Sequence, residues 1–327
     1  MAPGFRLPGP AATLLTLALG VQTASAQTNF SNWLDGFRDR AMREGISETT
    51  LSSAFAGVEP IERIIELDRK QPEGRMTFVE YRDRVISTHR IKKGRELLSK
   101  HAAILAETER RFGVPAEVIV ALWGIESSYG EFKGRFPVID ALATLAYDGR
   151  REELFTRELI SALRILDQGD VDRGNMFGSW AGAMGQSQFM PSTFAGYAVD
   201  ADGDGRRDIW TSLPDVFGSM ANYLSRIGWD RRYIWGREVG NIAGVPASMR
   251  GLDQKAPLGR FAELGVRRAD GGPLPYADID ASLVVMDEGK GPAYLVYGNY
   301  RVIMRWNRSS YFATSVGLLA DALASGG

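Results

Sequence analysis

Cysteine is absent from the 327 residues, and histidine occurs only at His89 and His101. These gaps exclude a thiolate nucleophile, a thiolate zinc site, an iron–sulfur cluster and a three-histidine metal centre. An excess of charge of one sign is lacking too. The 39 lysines and arginines face 40 aspartates and glutamates, a net charge of −1, so no global basic field draws the chain onto nucleic acid. Internal repeats and low-complexity tracts are also missing. The chain is 44% hydrophobic and 24% charged, as in ordinary soluble globular proteins, and its length suggests about two domains. The chemistry falls to carboxylates, hydroxyls, amides, lysines or oxygen-liganded ions.

The N-terminus has the order of a secretory signal: Arg6, an apolar run from Ala11 to Val21, then Ala24-Ser25-Ala26. Cleavage is expected after Ala26. The apolar run is about half of the ~20 residues that span a bilayer, and no cysteine follows it for lipid attachment. The expectation is a protein without a stable membrane anchor, working outside the cytoplasm in a periplasm.

Helical spacing of Trp33, Leu34, Phe37 and Ala41 predicts a helix from Ser31, its N-cap, to about Ile46. Glycines and polar residues punctuate the chain from there to Phe78. One helix is expected over Ile91 to Phe112, stopped by Gly113, and a buried one begins at Pro115 with the apolar run Val118 to Ile125. Glu152 to Gln168 reads as amphipathic, with Leu154, Phe155, Leu159, Leu163 and Leu166 inward. Ser212 to Ile227 and Tyr311 to Leu323 complete the helices. Between them the texture turns to glycine and proline with β-rich pieces at Leu283–Met286, Ala293–Tyr297 and Tyr300–Met304. Gly298-Asn299 between the last two is a hairpin signal.

Glu126 follows eight apolar or small residues and precedes Ser127-Ser128-Tyr129-Gly130. Apolar surroundings and the negative end of a helix dipole both disfavour its charge, so its pKa should rise. A raised pKa suits a general acid at neutral pH. A second motif, Gly178-Ser179-Trp180-Ala181-Gly182-Ala183-Met184-Gly185-Gln186-Ser187-Gln188-Phe189-Met190-Pro191, interleaves glycines with aromatic and amide groups. Its glycines let a backbone approach a ligand closely, Trp180 offers a stacking face and Gln188 an amide, a surface suited to sugar rings.

Together these segments resemble the lytic murein transglycosylase B family. The resemblance is carried by Ile125 to Gly130, Asp140 to Leu145, Gly182-Ala183-Met184-Gly185 and Gln188 to Ser192. Asn222-Tyr223 with Gly228-Trp229, and Asn299 to Asn307 with Ser309, extend it over most of the chain. It implies a mainly α, α+β fold with a lysozyme-like helical catalytic core, and peptidoglycan glycan strands as the partner, with wall-synthesis proteins as a further class. It implies cleavage of the β-1,4 bond between N-acetylmuramic acid and N-acetylglucosamine, leaving a 1,6-anhydromuramoyl end. Glu126 would be the single catalytic glutamate, acid and then base, and Ser179 would orient it. Gln188 would contact a bound sugar, with Tyr81, Tyr223 and Asn299 lining the groove. Trp306 stands where the family commonly has tyrosine, and Tyr129 where it has tryptophan; both keep an aromatic face for the subsites.

Asp200, Asp202, Asp204 and Asp208 occupy positions one, three, five and nine of a loop with Gly205 at six, the order of a calcium loop. Arg206 would offer its backbone carbonyl. Thr211 replaces the glutamate of position twelve, and in the family a later aspartate, here Asp215, closes the loop. Ser212-Leu213-Pro214-Asp215 is equally a capping box. The ion would be Ca2+ in a structural role.

The expected division is a removed signal over 1–26, an N-terminal helical region over 27–110 and a catalytic core with the calcium-type loop over 111–235. A small β-rich region follows over 236–298, and residues 299–327 return to the core. Two other functions stay open. One is a hydrolytic muramidase using Glu131 or Asp140 as a second carboxylate; the other is a silent, calcium-stabilised peptidoglycan-binding module.

Overall fold

In the computed structural model, residues 15–70 and 76–325 are described, the side chains of 15–28 excepted. The first half of the chain is a series of helices: α1 (Leu15–Arg43), α2 (Glu48–Ala54), α3 (Glu62–Arg69), α4 (Phe78–Val85), α5 (Thr88–Lys100), α6 (Ala102–Phe112) and α7 (Ala116–Ser127). A two-residue strand β1 (Phe136–Pro137) leads into α8 (Val138–Asp148) and α9 (Glu152–Asp167), and β2 (Phe177–Gly178) pairs back antiparallel onto β1. Two more helices follow, α10 (Pro191–Tyr197) and α11 (Leu213–Arg226).

The chain then builds an antiparallel sheet. It comprises β3 (Gly236–Gly240), β4 (Ala256–Pro257), β5 (Arg267–Arg268), β6 (Asp280–Val285) and β7 (Ala293–Val296), with α12 (Leu258–Glu263) and the one-turn α13 (Met286–Gly289) between strands. Strand order is β4-β6-β7-β3-β5. It returns through α14 (Gly298–Trp306) to α15 (Ser310–Ala324). The architecture is mainly helical α+β.

The main core gathers the helices around α7, where Ile119, Val120, Ala121 and Leu122 are fully buried, and α15 packs along it. β7 reads as a continuous apolar run because both its faces are covered. Tyr294 and Val296 turn to the main core, while Ala293 and Leu295 turn to a smaller one with Val239, Phe261 and Leu283. The sheet is thus fastened to the helical body through alternate residues of one strand.

Several sequence expectations are corrected. α1 begins before Ser31, which lies inside the helix rather than at its cap. Residues 1–14 of the expected signal lie outside the described residues, and no described helix is long and apolar enough to cross a membrane. The stretch before Phe78 carries α2, capped by Ser47, and α3. The expected helix Ile91–Phe112 is two, parted at His101, whose ring packs against Trp123 and Phe217. The break lets α5 lie on α7 while α6 turns to α11. Leu154 is exposed rather than inward.

Tyr300–Met304 is helix, not strand, and Gly298-Asn299 makes no hairpin. The reason is topological: β7 already has β3 on one edge and β6 on the other, so no third strand can pair with it. The segment also satisfies a helical pattern, burying Tyr300 and Ile303 one turn apart.

Candidate active site

Between Glu117 in its first turn and Glu126 in its last, α7 is apolar on every side. Its end is forced: Ser128, Tyr129 and Gly130 all take left-handed backbone conformations, with φ of 50°, 63° and 83°. Two of these are non-glycine, and the strain of such a turn persists only where the surroundings over-determine it. Ser127 Oγ accepts from the Gly130 N–H at 3.1 Å, Ser128 Oγ accepts from Arg90 at 3.2 Å, and Tyr129 Oη donates to the Arg90 carbonyl at 2.8 Å. A side chain at Gly130 would start 2.3 Å from Gln186 Oε1. That amide is committed, accepting from Trp123 Nε1 at 2.8 Å and donating to the Trp210 carbonyl at 3.0 Å.

Glu126 keeps part of its surface open, yet protein crowds its carboxyl. Burial pushes its pKa from 4.5 to about 7, against a smaller opposing effect from one donor. That donor is Trp306 Nε1, 2.6 Å from Glu126 Oε1. Trp306 ends α14, 180 residues along the chain, and its ring packs against Phe189 at 5.3 Å and Tyr223 at 5.0 Å between centroids. Sequence reasoning noted Trp306 only as an aromatic exchange; its hydrogen bond depends on a helix that was expected to be a strand.

The glycine-rich segment winds tightly beside these rings. Met184 bridges to both Gly178 and Phe189. Gly185 lies so near the backbone of Ile209 that a Cβ would meet its carbonyl oxygen at 2.6 Å. Gln188 is held at φ 51°, its amide donating to the Gly185 carbonyl at 2.8 Å. Ser179 Oγ accepts from the Ala183 N–H at 3.0 Å and the Ala181 N–H at 3.3 Å, which leaves its own proton free to donate. No hydrogen bond joins it to Glu126 among the described residues. Trp180 packs partly buried on the main core.

Of the aromatic residues expected at the groove, Tyr81 and Tyr223 are both partly exposed. Tyr81 lies within electrostatic reach of Glu126, whose charge adds to burial in raising the phenol's pKa. Tyr223 touches Trp306 and donates to the Arg305 carbonyl at 2.9 Å.

Two expected residues are turned away. Tyr129 is buried against Trp123 with its hydroxyl spent on Arg90. Asn299 is 1% exposed; it accepts from the Asp230 N–H and donates to the carbonyls of Asp230 and Tyr233, all within 2.9 Å. Both residues hold the chain together instead of facing a ligand.

The alternative carboxylates are occupied. Glu131 pairs with Lys93 at 2.5 Å, which holds its pKa below the usual range. Asp140 pairs with Arg173 at 3.1 Å in the first turn of α8.

In the acidic loop, ligand atoms of Asp200, Asp202 and Asp204 lie within 4.8 Å of one another, a hard-oxygen trio that fits Ca2+. Asp208 is spent elsewhere, accepting from the N–H groups of Trp210 at 2.8 Å and Thr211 at 2.9 Å. Arg206 donates its N–H to Asp204 at 2.8 Å. Asp215 makes half of the expected capping box, its N–H donating to Ser212 Oγ at 3.4 Å. Its carboxylate instead accepts from the N–H groups of Ala201 and Asp208, each at 2.7 Å, tying the two ends of the loop from beneath.

Comparison with known proteins places this geometry among relatives. Residues 29–321 match the model of the transglycosylase SLT domain family. The chain is 34% identical over 261 residues to membrane-bound lytic murein transglycosylase B of Escherichia coli strain K12, covering 78% of this chain and 70% of that protein. It resembles the crystal structure of SltB3 from Pseudomonas aeruginosa in complex with NAG-anhNAM-pentapeptide, with TM-score 0.88 and 46% identity over 91% of this chain and 80% of that one. It also resembles the Escherichia coli lytic transglycosylase Slt35 in complex with calcium, with TM-score 0.75 and 30% identity over 91% of this chain and 93% of that one.

Proposed function

Since this chain belongs to the transglycosylase SLT family and is a lytic transglycosylase of peptidoglycan with a lysozyme-like fold, we propose that Glu126 alone is its acid and base. The observation that carries this reading is the crowded carboxyl of Glu126 at the end of α7, whose pKa burial raises to about 7, while both other candidate carboxylates are spent in ion pairs.

The protonated carboxyl gives its proton to the oxygen linking N-acetylmuramic acid C1 to N-acetylglucosamine, and the C1–O bond breaks. The carboxylate left behind takes the proton of the muramoyl 6-hydroxyl while that oxygen bonds to C1, which closes a 1,6-anhydro ring. No water enters, so no second carboxylate is needed to activate one. The attacking hydroxyl is held by its own sugar at high effective concentration. The muramoyl acetamido group supports the charge developing at C1. Ser179, with a free hydroxyl proton, orients Glu126. Gln188, Tyr81, Tyr223 and Trp180 supply the sugar-contacting surface.

Calcium is assigned a structural place, held by Asp200, Asp202 and Asp204 with the Arg206 carbonyl, while Asp215 shapes the loop. It stabilises the fold and takes part in no chemical step. The working site is the periplasm, reached through a signal over residues 1–26. The sheet region 236–298 is read as a unit set between the catalytic core and the closing helices 299–327.

Mass spectrometry of fragments released from peptidoglycan tests the reading. Fragments lighter by one water than hydrolytic products, and lost in Glu126→Gln, are expected. Hydrated reducing ends would mean a muramidase; binding without cleavage by the unaltered protein would mean a silent module.

A further inference from the structure

The indole N–H of Trp306 can donate a hydrogen bond but never accept one. Oε1 of Glu126, which receives it at 2.6 Å, must therefore present a lone pair toward the ring. When the carboxyl is protonated, the proton is favoured on the other oxygen, because a carbonyl oxygen accepts better than the hydroxyl oxygen of an acid. No protein hydrogen bond reaches Oε2 among the described residues, so that oxygen has no competing protein partner.

We propose that Trp306 is a positioning residue that fixes Oε2 as the oxygen of Glu126 that gives and takes the catalytic proton. The proposal rests on the reading of Glu126 as acid and base. One contact serves both halves of the reaction. While the acid is protonated the indole selects the oxygen that carries the proton; once the proton has left, the same N–H steadies the carboxylate without competing for the 6-hydroxyl.

The indole is itself held in place. Phe189 and Tyr223 pack against its ring, and Tyr223 donates to the carbonyl of the preceding residue, Arg305, at 2.9 Å. The Arg305 guanidinium donates to the Ile227 carbonyl at the end of α11 at 3.0 Å. At the other end of α14, Asn299 ties the helix to Asp230 and Tyr233. A donor so anchored loses little freedom on bonding to Glu126, which is how preorganised groups outperform water.

Tyr81 on α4 also lies within electrostatic reach of Glu126, and Arg90 on α5 within reach of Tyr81. Both remain when Trp306 alone is altered, so a change in the pH profile reports the indole.

The test compares kcat, KM and their pH dependence on peptidoglycan for the wild type and Trp306→Phe. A further variant carries benzothienylalanine at 306, in which sulfur replaces the N–H in a ring of the same shape. Both should lower kcat by about tenfold to a hundredfold and leave KM within about twofold. Both should also move the midpoint of the basic limb upward by about one pH unit, because the carboxylate loses a donor. If Trp306→Phe fails to fold, the sulfur analogue decides. A rise in KM with an unchanged pH profile would make Trp306 only a sugar-stacking face and overturn the proposal; so would unchanged kinetics. Glu126→Gln is assayed alongside. If it stays active, the acid–base reading itself falls and takes this proposal with it. If it is inactive while both Trp306 variants keep the wild-type profile, only the role of Trp306 is lost.

Discussion

Among the described carboxylic acids that burial pushes toward neutrality are Glu126, raised to about 7, and Asp215, raised to about 6. Each lies in a terminal turn of a helix, Glu126 in the last of α7 and Asp215 in the first of α11. Their surroundings differ in what they leave free. Asp215 has no exposed surface, and its two oxygens each accept a backbone N–H at 2.7 Å. Glu126 receives one side-chain donor on one oxygen and keeps part of its surface open. A raised pKa marks burial in both cases; only an unclaimed oxygen open to a ligand makes such a group a proton donor.

The comparison is sharpened first by Glu126→Gln. Fragment release should fall by about a thousandfold or more, as expected when one group supplies both proton transfers. Stability should move the other way. The carboxyl titrates near 4.5 when unfolded and near 7 when folded. Its stabilising contribution is therefore full below about pH 4.5 and lost as pH rises through about 7. Urea melts of the wild type should show that decline, worth up to about 3 kcal/mol, and melts of the glutamine variant should not.

Asp215→Ala is the mirror experiment. It strands two buried N–H groups and should cost about 3 kcal/mol in urea melts, with kcat of the folded protein unchanged. Loss of kcat without loss of stability would break the distinction drawn between the two acids. Calcium should come next in size. Adding it to chelator-treated protein should raise the melting temperature by about 2–4 °C, and Asp202→Asn or Asp204→Asn should abolish most of that rise. Tyr129→Phe should matter least. Losing its bond to the Arg90 carbonyl should cost about 1 kcal/mol, and KM should not change, in contrast to a residue that lines the groove.

The site divides between what local sequence can reveal and what it cannot. The position of Glu126 was legible because its causes are consecutive: an apolar run, a proline at the start and a glycine at the end. The acidic trio was legible for the same reason, its ligands recurring at every second residue. Helix α9 followed from its amphipathic spacing, α11 from a capped apolar stripe and α15 from its apolar run. Tyr129 and Asn299 were misplaced because an aromatic or amide side chain fits a groove or a core equally well, and partners distant in sequence decide between the two. Asn299 is 69 residues from the backbone it staples. The segment 300–304 reads as strand by composition, and only the paired edges of β7 exclude it. That mistake hid Trp306, since a strand there would not have carried the indole to the end of α7.

The central claim is that Glu126 is held protonated near neutral pH by the fold around it. Carbon NMR of protein labelled at the glutamate side-chain carboxyl, with the resonance assigned by its loss in Glu126→Gln, measures this directly. A titration midpoint near 7 is the predicted result. A midpoint near the ordinary 4.5 would show a carboxylate already ionised at neutral pH and would contradict the account.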